Sequence, residues 1–493
     1  MMTRRHILLL MLIVVVGSWP TAVGSGQHGD DPGQTEIASI SAPELLNGPD
    51  ALEPTLAIVG GWLIDGTGRI PYADAVVLIA GDKIVAVGPR ARLSIPPQVE
   101  IIDARGKTIL PGIIDAHNHL EGIGLGDDDR ELVNTPEKLK QAILQNAQLD
   151  LQSGVTTIRD MGSSNLVLQM RQQIEAVGPR LFAAGQQLIK KSSDAPALAN
   201  CVEFDGVREA RSRTRELIAK GVDLIKVRLV AQRPLPTLEE LKAIIRTARE
   251  ANLKVAVHTD VPHEQAVRLA IDAGADSLEH SAVLRANNDL LLRQMARQNM
   301  ILVPTLFQLQ AQQLDPLMRS DDELIESPLA ELLPAEWLSA LKQRAAVWRK
   351  NMEDWRTIRQ YDPQRALRDA FNAVVRAHSI GVKMALGPDT GSDLVPHGRI
   401  YRDIEFYISA GLPVMDVIQM YTKNGAEVLG KEKILGTIEP GKLADIILLD
   451  SDATSLHSDP AFDRRAFRRV SVVIKNGKVV KNLSASTTEL GTR

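Results

Sequence analysis

The sequence predicts an α/β fold: a (β/α)8 TIM barrel carrying a small β-sandwich domain built from both chain ends. Three observations predict it. Short β-rich runs with Gly-containing turns occupy both ends of the chain. The middle alternates apolar strand candidates with helical patterns. Eight such strand candidates can be counted there, the number a closed barrel requires. With 493 residues, 44% of them hydrophobic, the chain can fill one large core and a smaller satellite.

In chain order, Arg4 and Arg5 precede an apolar run from Ile7 to Val16, then Gly17, Pro20, Ala22, Val23 and Gly24. The run is short for a bilayer span, so residues 1–24 read as a cleaved signal peptide. The expected location is periplasmic or secreted, with no stable membrane association after cleavage. Residues 25–54, rich in Gly, Pro, Ser and Asp, read as a linker. Residues 55–108 carry the runs Leu56–Val59, Ala75–Ile79 and Lys83–Val87. The same texture returns over 431–482, with Ala444–Leu449, Val470–Ile474 and an Asn476-Gly477 hairpin signal. One β domain made from both segments would flank a barrel over 109–430. Its strand candidates are Ile109–Asp115, Val155–Arg159, Arg180–Ala184, Leu224–Val227, Lys254–Val257, Ser277–Glu279, Ile301–Thr305 and Lys383–Leu386. A capping box, Thr237-Leu238-Glu239-Glu240, opens the helix between the fourth and fifth. A helical insertion at about 308–379 interrupts the last repeat and is expected near the barrel mouth. A doubly wound open sheet is the competing fold.

Composition excludes several functions. A formal net charge of −4 gives no reason to bind nucleic acid or an anionic membrane. Aromatic residues, 3% of the chain, are too few for base-stacking platforms. The single cysteine, Cys201, excludes an intramolecular disulfide and reads as a small apolar residue. Homo-oligomerisation is left open by the sequence.

In a parallel barrel, chemistry sits at the C-terminal ends of the strands. Strand one ends in Asp115-Ala116-His117-Asn118-His119. Two residues apart on an extended chain, His117 and His119 face the same side. Lys226 lies on strand four, His258 ends strand five, His280 ends strand six, and Gly387-Pro388-Asp389 ends strand eight. A single strand-end histidine is more often a packing residue, and a buried lysine is often just a paired charge. Four of only ten histidines in this ring, with one Asp and one Lys, point instead to a divalent metal site.

These motifs resemble the amidohydrolase superfamily, in its imidazolonepropionase-like and Xaa-Pro-dipeptidase-like branch. The resemblance covers about residues 55 to 482. It includes Gly154-Val155-Thr156-Thr157-Ile158-Arg159-Asp160-Met161-Gly162, Pro396-His397-Gly398, Thr422-Lys423-Asn424 and the highly specific run from Leu435 to Asp445. The resemblance implies two divalent metal ions, zinc first among metals that share these ligands. His117, His119 and Asp389 would bind one, His258 and His280 the other, and Lys226, carboxylated by carbon dioxide, would bridge them. It also implies Asp389 as general base and then general acid. A mononuclear site with unmodified Lys226 is the alternative within the superfamily. Pro388 stands where the family usually has Thr or Ser, and His258 is followed by Thr259-Asp260; both put substrate and rate in doubt, not metal binding.

The expected activity is metal-dependent hydrolysis of a C–N bond in a small molecule or short peptide, a dipeptide or N-acyl amino acid. Arg228, two residues beyond Lys226, is a candidate clamp for a substrate carboxylate, against a rim salt bridge. His397 is a candidate substrate contact, against a loop-stabilising hydrogen bond. Asp127, Asp128 and Asp129 read as a solvated loop. A cyclic-amide hydrolase or deaminase on the same scaffold is the second expectation. A non-catalytic binding relative is the third, and it is disfavoured because all six ligand positions are filled.

Overall fold

The computed structural model describes residues 53–125, 132–196, 198, 200–230, 233–259, 264–280, 284, 288–308, 333–359, 363–451 and 464–483. The expected signal peptide, nearly all of the linker and the acidic run at 127–129 lie outside the described residues.

Five strands open the chain: β1 (Leu56–Leu63), β2 (Tyr72–Ala80), β3 (Lys83–Pro89), β4 (Glu100–Asp103) and β5 (Thr108–Pro111). The barrel region follows. It begins with β6 (Ile113–Asn118), α1 (Pro136–Gln152), β7 (Val155–Asp160), α2 (Asn165–Gln169), α3 (Arg171–Val177), β8 (Arg180–Ala183), β9 (Gln187–Lys190), β10 (Cys201–Phe204) and α4 (Gly206–Ala219). It continues with β11 (Leu224–Leu229), α5 (Leu238–Glu250), β12 (Lys254–Thr259), α6 (Glu264–Ala273), β13 (Ser277–Glu279), α7 (Asp289–Arg297) and β14 (Ile301–Val303). Helices α8 (Ala335–Arg359), α9 (Pro363–Ile380), α10 (Ile400–Ser409), α11 (Val414–Tyr421) and α12 (Lys423–Leu429) precede the last strands, β15 (Ile446–Leu449), β16 (Val470–Lys475) and β17 (Lys478–Asn482).

Both chain ends meet in one eight-stranded sheet of order β17-β16-β15-β5-β1-β2-β3, with β4 also on β1. Strand β5 makes it continuous, parallel to β1 at Leu63↔Ile109 and antiparallel to β15 at Leu110↔Ile447. Alternation explains its packing: Leu56, Ile58, Val77 and Ile79 share a core with Ile446, Leu448, Val472 and Ile474. The intervening Ala57, Val59, Val76 and Leu78 pack on the other face. A bridge from Lys83 to Leu443 curls the sheet over that core. The expected small β domain built from both chain ends is present, and β5 joins its two halves into one curled sheet.

That strand also corrects a boundary. The run Ile109–Asp115 was expected to be barrel strand one. It divides at Gly112, where an added Cβ would lie 2.2 Å from Thr156 Oγ1. Residues before the glycine belong to the curled sheet and residues after it to the barrel. Both halves are apolar, so hydropathy alone shows no break.

The barrel runs parallel through β6-β7-β8 and through β9-β11-β12-β13-β14. Strand three bends at Gly185 (φ 60°), so β8 pairs with β7 while β9 pairs with β11. The expected eighth strand closes the ring through backbone bonds, not a full ladder: Leu302 N–H to Lys383 O (2.9 Å) and Ala116 N–H to Leu386 O (3.1 Å). The predicted capping box at Thr237 and Glu240 is present. Helix α8, from the expected insertion, rests Trp337 and Leu341 on Ile123 and Leu125 beside the β6 loop. Its Arg344 pairs with Asp393, both contacts 3.1 Å. The curled sheet is pinned to the barrel by Lys475, which donates to Glu175 O and Gly178 O at 2.6 Å, and by Arg180 on Asp445 at 2.5 Å. No helix among the described residues is long and apolar enough to cross a membrane.

Candidate active site

The parallel strands deliver their C-terminal side chains to one mouth. His117 and His119 arrive from the end of β6, Lys226 and Arg228 from β11, His258 from β12 and His280 just past β13. Asp389 follows the closing segment. His280 (φ 69°) and Asp389 (φ 68°) occupy the left-handed region, which turns each chain sharply away from the barrel at its functional residue.

The structure brings His117, His119 and Asp389 together, with one potential ligand atom of each within 4.8 Å of the others. Asp389 Oδ1 lies 3.1 Å from His119 Nε2 and 3.5 Å from His117 Nε2. The His280 ring centroid is 4.8 Å from that of His117 and 4.2 Å from that of His258. Lys226 is buried at the same end of the barrel, close enough for its charge to act on His117 and His258.

Three of these histidines share a pattern. His117 Nδ1 is held by Glu279 (2.9 Å), His119 Nδ1 by the Gly162 carbonyl (3.1 Å) and His280 Nδ1 by the Thr305 hydroxyl (2.8 Å). In each case the protein engages one nitrogen and leaves Nε2 for the centre, the arrangement that orients metal-binding imidazoles. His117 Nε2, His280 Nε2 and Lys226 Nζ are buried without hydrogen-bond partners. An orphaned buried polar atom costs about 1–3 kcal/mol. Several orphans around one carboxylate fit a divalent cation that would complete them.

Electrostatics agree. Burial, reinforced by Lys226, holds His117 and His258 well below the usual imidazole range. Burial and the neighbouring histidines do the same to His280. Neutral imidazole is the ligand form. Burial opposes the charged form of His119, but the hydrogen bond and charge of Asp389 outweigh it and raise the pKa. Asp389 is held well below the usual carboxylate range: burial works against the charge, and His117 and His119 overcome it. Burial pulls Lys226 down to about 8, within reach of the neutral amine.

Several functional neighbours went unread in the sequence. Glu279, fully buried on β13, holds His117 and is itself held by Arg159 (3.0 Å) and Ser277 Oγ (2.6 Å). Asp115 accepts from the His117 backbone N–H (3.0 Å), Asn118 (2.9 Å) and Thr390 (2.7 Å). Thr390 thus places a hydroxyl beside the ligand loop, although Pro388 offers none. Opposite charges inside apolar barrel strands, as in Thr157-Ile158-Arg159 and Ser277-Leu278-Glu279, were the signal that could have found them.

Arg228 is half-buried one rung beyond Lys226, in register with His258, and its Nε is buried without a hydrogen-bond partner. The Cys201 thiol lies close enough for the Arg228 charge to act on it. His397 corrects an expectation. It is buried, with Nδ1 on Asp150 (2.8 Å) and Nε2 on the Gly122 carbonyl (3.0 Å), so no nitrogen is left for a substrate.

The model of the amidohydrolase family matches residues 108–480. An imidazolonepropionase from Fusobacterium nucleatum is 23% identical over 445 residues, covering 82% of this chain and 91% of that protein. An adenine deaminase from Rhizobium meliloti is 24% identical over 86% of this chain and 59% of its own length. A crystal structure of a Xaa-Pro dipeptidase with bound methionine in the active site superposes with a TM-score of 0.66 and 25% identity, over 87% of this chain and 100% of that one.

Proposed function

This chain belongs to the amidohydrolase family and is a metal-dependent hydrolase of carbon–nitrogen bonds; on that premise, we propose that it releases amino acids from dipeptides or N-acyl amino acids. The observation that carries the reading is the cluster of inward Nε2 atoms around Asp389, with Arg228 one rung farther out. We further propose a binuclear centre, zinc first. His117, His119 and Asp389 would hold one ion, and His258 and His280 the other. When bound, such ions activate water and polarise a carbonyl. The neutral Lys226 amine would add carbon dioxide and lose one proton, giving an anionic carbamate with two oxygen ligands. Its burial and orphaned Nζ support this.

The chain's own groups then divide the work. Asp389, kept ionised by His117 and His119, takes the proton of the attacking water. It passes that proton to the leaving amine nitrogen. Arg228 pairs with the substrate's terminal carboxylate and fixes the scissile bond over the centre. The dipeptidase named among the structural relatives supports this substrate class. The adenine deaminase relative favours the second reading, a cyclic-amide hydrolase or deaminase on the same scaffold. We also propose export to the periplasm or medium, on the basic, apolar and small-residue order of residues 1–24.

The test is a release assay. Mature protein loaded with zinc and bicarbonate is offered a library of dipeptides and N-acyl amino acids, and free amino acids are recorded. Release that disappears in Asp389→Asn is expected. Arg228→Met should raise KM for substrates with a free carboxylate and spare their amides. No release by metal-loaded protein would sink the peptidase reading and direct the search to cyclic amides and deaminations.

A further inference from the structure

We propose that His397 is a positioning residue: a buried imidazolium clasp that joins the loop after His119 to the loop after Asp389 and holds the ligand-bearing strand ends in register. The inference rests on the reading of His117, His119 and Asp389 as metal ligands.

His397 lies between a carboxylate and a backbone carbonyl oxygen, groups that accept hydrogen bonds. Nδ1 faces the Asp150 carboxylate at 2.8 Å and Nε2 faces the Gly122 carbonyl at 3.0 Å. Neutral imidazole carries one N–H and can satisfy only one of them. A ring that donates to both is a cation, and in a buried site that cation needs the anion it has. Asp150 needs it in turn. Its carboxylate sits in the last turn of α1, where the helix macrodipole disfavours negative charge. The groups facing the ring are therefore Asp150 from α1, Asp115 from β6 and the Gly122 carbonyl, and they outweigh burial to raise the His397 pKa.

The clasp leads to the metal ligands through two short routes. Asp150 Oδ2 also accepts from Asn118 Nδ2 at 3.0 Å, and Asn118 stands between His117 and His119. Asp150 Oδ1 accepts the Gly398 N–H at 3.1 Å, fixing the far end of the loop that begins at Asp389. On the other side, Gly122 packs so closely on Gly391 that a Cβ there would lie 2.1 Å from the Gly391 carbonyl oxygen. The same two loops are stitched by His119 N–H to Thr390 O (2.7 Å) and Leu394 N–H to Gly124 O (2.8 Å). His397 supplies the charge at the centre of this stitching.

The test compares wild type with His397→Asn, which keeps an amide donor and loses the cation. Retention of zinc against a chelator should weaken by about 10- to 100-fold, the usual effect of removing a group that orients ligands. In the hydrolysis assay kcat should fall while KM stays within about twofold. In metal-free protein, the His119 and Leu394 amides should exchange hydrogen faster in the variant. Wild-type zinc retention and unchanged exchange in a folded variant would overturn the clasp. A rise in KM alone would also overturn it and restore a substrate contact. If His397→Asn does not fold, Asp150→Asn/His397→Gln removes both charges together; weakened retention supports the clasp and wild-type retention overturns it. Wild-type protein that binds no metal would instead defeat the functional reading, a distinguishable failure.

Discussion

Arg159→Met tests the ion pair beneath the site. Arg159 and Glu279 are both fully buried in barrel strands. The guanidinium donates to Glu279 Oε1 (3.0 Å), Ser277 Oγ (2.8 Å) and the Ala116 carbonyl (3.3 Å). Methionine fills much of the volume but leaves the Glu279 carboxylate without its cation. Breaking a buried pair from one side costs about 3–5 kcal/mol. Glu279 would still hold His117 Nδ1 and Ser277, which places the expectation near the lower bound, about 3 kcal/mol. The assay is denaturant unfolding at fixed zinc concentration, since bound metal shifts the apparent stability. Glu279→Gln should also destabilise, by stranding the arginine. The double variant should cost at least about 1 kcal/mol less than the sum of the two, because no unpaired charge remains. A loss below about 1 kcal/mol for Arg159→Met, or strict additivity in the cycle, would refute the claim that the pair is mutually dependent.

Gly387→Ala should abolish zinc retention while far-ultraviolet circular dichroism stays near wild type. Its Cβ would lie 2.4 Å from the His117 backbone nitrogen and 2.5 Å from Asp115 Oδ1, and these are rigid neighbours; bound zinc measured by atomic emission checks it. Lys226→Ala should lose activity and regain part of it in millimolar acetate, because a small carboxylate can stand in for a lysine carbamate. Activity independent of both the lysine and acetate would exclude the carbamate. Burial raises Asp403 to about 8, above its unfolded value near 3.8, with Tyr421 donating to the carboxyl. The stability from its neutral form is therefore complete below about pH 4 and is lost as pH rises towards 8, with a slope of up to about 1.4 kcal/mol per pH unit. Asp403→Asn should flatten melting midpoints across that window, and an unchanged slope would count against a neutral Asp403.

The barrel was legible because parallel strands buried on both faces are short apolar runs, and Gly or capping residues punctuate them. Ser277–Glu279 was read to the residue. The gathering of His117, His119 and Asp389 was legible because strand period and strand polarity together place side chains at one mouth. Where sequence reading failed, the information lay between segments far apart. Nothing local separates Ile109 in the curled sheet from Ile113 in the barrel; their partners, Leu448 and Val155, decide it. His397 looked like a mouth-facing ring because its loop follows Asp389. Only the fold shows that α1 reaches it with Asp150. Glu279 was passed over as a neighbour of His280, since its Arg159 partner lies 120 positions away.

The central place of β5 has a consequence for how the protein is made. Thr108 and Ser451 touch although 343 positions separate them. When the ribosome has finished β5, the strand that covers its outer edge has not yet been synthesised. An apolar strand edge must therefore wait, unpaired, while the whole barrel is translated. Chains released early, before Ile446, would keep that edge open and invite strand addition from another copy. Full-length chains carry β15, which pairs along that edge from Thr108 to Pro111 and covers it.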